Sequence, residues 1–327
     1  MRTRLTTIST VAHPTQLIIT GATAKWLNGG AGKFVRHLSM SSYHMVATCL
    51  LVQLHPSLFL NSRKGGEGVF DLEITLPNCI GMTILLVFIS VTMMLFVRRR
   101  ISLEKLRLHH DVTDPLLAVL GTLFAILLGF MIANAMQRFE NARATVQDEA
   151  GAVGDVFRLA DGLPSSEKTE LRKHCLIYCD EVIDSEFKEM RHDRMTEKAW
   201  SIYDALWQDS TRYQPHTEAQ NNIHQMLLSS MAKVGECRRA RFAQLTYCLP
   251  PTLWFILIFG GVSTVVFTYF FAVDDTRLQI AITCVITIVI CLNVYMLAGF
   301  DSSFSGDIAI TSSAFQTLRT SFLRIHN

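Results

Sequence analysis

PLLAVLGTLFAILLGFMIANAM, residues 115–136, runs for 22 residues without an Asp, Glu, Lys, Arg or His. A helix of that length in water carries a polar stripe, whereas a bilayer core about 30 Å thick asks for roughly 20 apolar residues in a row. Three more charge-free runs, 76–97, 249–273 and 278–300, meet the same requirement. Four such runs predict a polytopic membrane protein rather than a soluble core.

The second span also has a predictable continuation. No helix breaker separates Met136 from Ala160, and the sequence turns polar at once in Gln137-Arg-Phe-Glu-Asn-Ala-Arg143, so one helix should leave the membrane and continue into water until Gly162-Leu163-Pro164 ends it. Beyond it, Leu171, Cys175, Tyr178, Val182 and Phe187 recur at helical spacing among charges. Thr196 is placed to cap one helix, and Thr217 with Gln220 to form a capping box for another reaching towards Cys248. Pro250 and Pro251 fall in the first turn of the third span, where a missing amide hydrogen costs little. No strand pattern of useful length occurs. The fold class is therefore all-α: spans one and two within 72–136, an extramembrane helical domain over 137–248, spans three and four within 249–300, and a tail over 301–327.

Composition agrees with this partition. The chain has 327 residues, 50% hydrophobic and 18% charged, with a mean hydropathy of +0.28 and a net charge of +2. The near-neutral total hides a segregation: residues 1–66 hold seven basic residues and no acid, while 137–248 hold 15 basic and 18 acidic residues. No basic surface large enough for nucleic acid survives. Residues 1–71 read as either a poorly ordered extension or a transit-like segment, and they lack the uninterrupted apolar region of a secretory signal. Asn28-Gly-Gly-Ala-Gly-Lys33 is not a phosphate loop, because position 27 is Leu and position 34 is Phe.

Signals for chemistry are sparse. The eight cysteines form no CxxC pair and no zinc spacing; Cys175 and Cys179 share a helix face and read as small buried apolar residues. His109, His110 and Asp111 sit on a basic connection with no third ligand placed by spacing. Neither a metal nor a cofactor is expected, and no nucleophile elbow or nucleotide-binding glycine set argues for an enzyme. Within the second span, Gly121, Ala125 and Gly129 make a small-residue stripe that lets helix backbones approach closely in lipid. One residue round, Thr122, Ile126 and Phe130 form a parallel line; by itself it reads as lipid-facing or packing surface.

Leu128-Gly129-Phe130, then Asn134-Ala135, Arg138-Phe139 and Ala142-Arg143, resemble the second helix of bestrophins. The wider chain resembles a bacterial bestrophin-like family of unknown function, through Leu76-Pro77, Glu149-Ala150, Phe157-Arg158, Pro250-Pro251 with Trp254, and Asp301, Phe304, Gly306 and Asp307. The likeness spans roughly residues 72–316.

That resemblance implies a homo-oligomer, a pentamer, in the bacterial inner membrane, passing small anions passively through a neck lined by the second helix at Thr122, Ile126 and Phe130. Gly121, Ala125 and Gly129 would then face the neighbouring helix. Thr122 departs from the apolar residue usual at a neck. Only Asp301 and Asp307 stand where calcium-gated bestrophins carry an acidic cluster, which argues against a calcium clasp. The resemblance puts the 137–248 domain in the cytosol, whereas the basic residues between the first two spans prefer the opposite orientation. A second reading stays open: a non-conducting membrane scaffold or sensor whose helical domain binds a partner.

Overall fold

The computed structural model describes residues 75–101, 110–271 and 273–326. The expectations for residues 1–71 and for the histidine-bearing part of the connection lie wholly or partly outside them. Among the described residues every regular element is helical.

Helix α1 (Leu76–Arg100) and α2 (His110–Leu159) are joined across the connection that sequence places between the first two spans. At about 1.5 Å per residue, the 50 residues of α2 extend about 75 Å, more than twice the hydrocarbon core, so this helix has to project into water. It begins five residues before Pro115, the start read from the charge-free run, because composition marks where charge stops and not where helical geometry starts. One 3-10 turn (Ala160–Gly162) closes it.

The projecting domain wraps the polar half of α2. It comprises α3 (Ser165–Glu181), a wide π turn (Val182–Glu186) leading into α4 (Phe187–Met190), α5 (Glu197–Arg212) and α6 (Glu218–Thr246). The expected caps are in place. Thr196 Oγ1 accepts from Ala199 N at 3.4 Å and Thr217 Oγ1 from Gln220 N at 3.2 Å. Gln220 Oε1 reaches back one residue further than a standard capping box, to His216 N at 2.9 Å. Helix α6 packs antiparallel along α2, and their shared core includes Val146, Val153, Leu227, Met231 and Val234.

Two more membrane-length helices come next, α7 (Pro251–Thr268) and α8 (Thr276–Asp301). The third span is shorter than the 249–273 run. Thr268 Oγ1 turns back to Val265 O at 2.6 Å, and Gln279 Nε2 from α8 donates to the carbonyls of Thr268, Tyr269 and Phe271, so the chain leaves the helix while still apolar. Gln279 is buried and its carbonyl accepts from Arg98, whose other amine holds Asp274 O at 2.8 Å. Small residues seat α7: an added Cβ at Gly260 would come 2.7 Å from Phe124, and one at Gly261 3.2 Å from Ile290.

The stretch 301–327, read from sequence as a tail, contains α9 (Ser313–His326), packed on the extramembrane domain. Phe322 stacks on Phe157 with centroids 3.8 Å apart, Phe315 is fully buried, and Arg319 pairs with Asp180 at 2.6 Å. Phe315, Leu318 and Phe322 have the spacing of an amphipathic stripe too short to stand out in sequence.

Candidate functional site

Helix α2 has two faces within its apolar half. Phe124, Leu128, Met131 and Ala135 are buried against Trp254, Leu257, Leu297 and Ala298 of α7 and α8. The other face bears Thr122, Ile126 and Phe130, all exposed, the last two at 65% and 67%. Among the described residues no element of the same protomer covers it. Thr122 Oγ1 donates to Ala118 O at 2.7 Å, which satisfies the hydroxyl within its own helix and removes most of the polarity that set this position apart in the sequence.

The small-residue stripe lies on the same uncovered side. A Cβ at Gly121 or Gly129 would meet nothing within 4 Å, and Ala125 is exposed. Among the described residues these positions therefore pack against no helix of their own protomer. Among the membrane helices, glycines in close contact with another helix of the protomer are Gly260 and Gly261, which lie outside the stripe that sequence singles out.

Below the apolar half, the remaining motif residues divide into two groups. Asn134 is exposed on α2, and Arg143 pairs loosely with Glu140 at 4.0 Å on the surface. The others build the junction between membrane helices and domain. Asp301, at the end of α8, accepts from Arg138 at 3.3 Å and from the backbone N–H of Leu249 at 3.1 Å, tying together the ends of three membrane helices. Arg138 also lies 4.6 Å over the ring of Tyr247. Phe139 meets Phe300 edge-on at 5.6 Å, and Phe304 meets Phe187 at 6.4 Å. Gly306 has φ 82°, a left-handed conformation that disfavours any side chain, and it turns the chain so that Asp307 accepts from Leu76 N at 2.5 Å. In this way Asp307 supplies an acceptor at the start of α1, where Thr75 makes no side-chain cap.

Glu149 belongs to a buried charge network. Arg241 Nε approaches its Oε2 at 2.8 Å, and Tyr178 donates to its Oε1 at 2.5 Å. Glu186 receives both amines of Arg238, at 2.9 and 2.8 Å, and lies 3.4 Å from Arg241. All four charged side chains are fully withdrawn from solvent. Two carboxylates and two guanidiniums cancel, which lets this many charges stay inside. Burial raises the Glu149 carboxyl above its ordinary value, against the attraction of Arg241; burial likewise pushes the Tyr178 hydroxyl well up. Burial also works against the charge on Arg241, but Glu149 and Glu186 outweigh it and hold that group raised. The network locks α2, α3 and α6 together.

Arg238 and Arg241 lie within about ten residues of the third span in sequence, yet both are at 0% exposure inside the domain. A signal was present. Leu227, Met231, Val234, Arg238, Arg241 and Leu245 advance by four, three, four, three and four residues and are all buried, so the two arginines occupy the apolar register of α6. Among the described residues no group of three or more His, Cys, Asp or Glu side chains is arranged to hold a metal ion.

The bestrophin-like domain model matches residues 84–315 of this chain. In structure, the chain is similar to a bacterial bestrophin homologue from Klebsiella pneumoniae, with a TM-score of 0.58 and 13% identity over 74% of this chain and 97% of that one. A single-substitution variant of that homologue gives 0.59 and 12% over 75% and 98%. A membrane protein solved as another single-substitution variant gives 0.58 and 12% over 75% and 98%. No curated protein matches.

Proposed function

This chain belongs to the bestrophin-like family and is a polytopic membrane protein, and on that footing we propose that it assembles as a pentamer and passes small anions passively through a neck lined by α2. The observation that carries the reading is the uncovered face of α2, where Thr122, Ile126 and Phe130 stand four residues apart, exposed in their own protomer. Five copies round an axis would stack this face into three rings, two of them apolar. Apolar rings gate by excluding water. The positive edge of an aromatic ring favours a partly dehydrated anion without a buried charge. Gly121, Ala125 and Gly129, open in the protomer, would receive the adjacent α2. We place the helical domain on the cytosolic side of a bacterial inner membrane.

Chloride efflux from liposomes tests the proposal, with wild type compared with a double variant carrying Ile126→Ala and Phe130→Ala. The expected result is flux in the wild type and a changed rate in the variant. A wild type that passes no chloride overturns the channel reading and favours the non-conducting scaffold. Flux unaltered by both substitutions moves the pore away from α2. A monomeric mass in detergent would also be incompatible, since one copy cannot close a ring.

A further inference from the structure

We infer that Gln137 and Asn141 form the step at which an anion leaving the apolar neck regains hydrogen bonds, and so set which anions pass; this rests on the channel reading above. Helix α2 is unbroken from the membrane into the domain, so its register carries across the boundary. At about 100° per residue, Gln137 falls between Ile126 and Phe130 on the helix face and Asn141 about 20° beyond Phe130. Along the axis they lie about 10 and 16 Å past Phe130. Both are exposed, and Gln137 Nε2 donates to Asn141 Oδ1 at 3.1 Å, which fixes the two amides relative to one another. Asn141 keeps both of its amide hydrogens for another acceptor.

The surroundings point to an anion at these amides and nowhere further along. Beside them the exposed Glu140, at the azimuth of Thr122, has Arg143 as a loose counter-charge at 4.0 Å. The next ionisable group on the same line is the exposed Asp148, whose charge repels an anion. A neutral amide suits a passing ion, since it offers N–H donors without the full charge that would hold the ion in place. Chloride surrenders its water reluctantly and depends on such donors; thiocyanate holds water loosely and depends on them little.

The test measures chloride and thiocyanate flux in liposomes for the full chain. Replacing both amides, Gln137→Leu with Asn141→Leu, should lower chloride flux about tenfold, the size of one charge-assisted hydrogen bond, while leaving thiocyanate nearly unchanged. Gln137→Ala with Asn141→Ala should do the same without added bulk. Exchanging the amides, Gln137→Asn with Asn141→Gln, should keep the wild-type ratio. Equal losses for both anions, or no loss, in the alanine pair overturns this assignment while leaving the channel standing. A wild type that passes neither anion overturns the channel reading and this one with it.

Discussion

Arg241 Nε lies 2.8 Å from Oε2 of Glu149, and solvent reaches neither side chain. Removing one partner of a buried pair costs more than the pair contributes, because the other charge is left without compensation. Arg241→Met strands Glu149 and leaves Glu186 with Arg238 alone; it should destabilise the protein by about 3–5 kcal/mol. Adding Glu149→Leu should recover much of that loss. Thermal unfolding in detergent reads both, and a double variant no better than the single one would contradict the argument.

Two glycines in membrane helices should respond differently to substitution. At Gly260 a methyl group would come 2.7 Å from the Phe124 ring, so Gly260→Ala should cost about 1–3 kcal/mol through overpacking. At Gly129 nothing lies within 4 Å, so Gly129→Ala should leave protomer unfolding unchanged. Measuring both the unfolding temperature and the mass in detergent separates packing within a protomer from packing between copies. A large fall in unfolding temperature for a monomeric Gly129→Ala would contradict the open face of α2.

Much of this fold was legible because bilayer physics is coarse: an uncharged run either reaches the required length or does not. The four membrane-length helices follow from that criterion, and the polar continuation of α2 follows from the lack of a helix breaker after Met136. Endpoints were not legible at α7, because Phe270 and Phe271 are as apolar in a turn as in a helix, and what stops the helix there is the side chain of Gln279 from another element. The charge network was hidden for a related reason. Arg238 and Arg241 are only charges near the third span until Glu149, 92 residues from Arg241, and Glu186, 52 residues from Arg238, are known to meet them. The line of Thr122, Ile126 and Phe130 was readable as a register, but its exposure in the protomer required the structure.

Acid should loosen the end of α2 before the rest of the domain. Asp161 accepts from Lys168 at 2.6 Å and from Arg172 at 2.6 Å, and the Lys168 hydrogen bond, with both positive charges, holds its carboxyl below the ordinary 3.8. A carboxyl lowered on folding contributes stability that is full above its unfolded value and lost as pH falls through the folded one. The contribution therefore fades below about pH 4. The site is more than half exposed, so the effect is small. Asp161→Asn should flatten the acid limb of unfolding temperature against pH; an unchanged limb would assign the acid sensitivity elsewhere.

The thiols offer a check at the other end of the pH range. Burial pushes Cys179 from 9.0 up to about 12 and Cys175 well above its ordinary value, and both are at 0% exposure between α3 and the rest of the core. Cys248, by contrast, is exposed. A maleimide at neutral pH needs an accessible thiolate, so it should modify Cys248 in the native protein and reach Cys175 and Cys179 only after unfolding. The same shift has a stability consequence of fixed sign. A thiol raised on folding contributes fully below its unfolded value when that thiol stays neutral in both states, and the folded protein loses ground as pH climbs towards the folded value, because the unfolded chain ionises first. Stability should therefore fall between pH 9 and about 12, and Cys179→Ala should make that fall shallower. Rapid native labelling that survives Cys248→Ser and maps to Cys175 or Cys179 would mean that α3 opens without global unfolding, which a helix pinned through Tyr178 to Glu149 and Arg238 should not do.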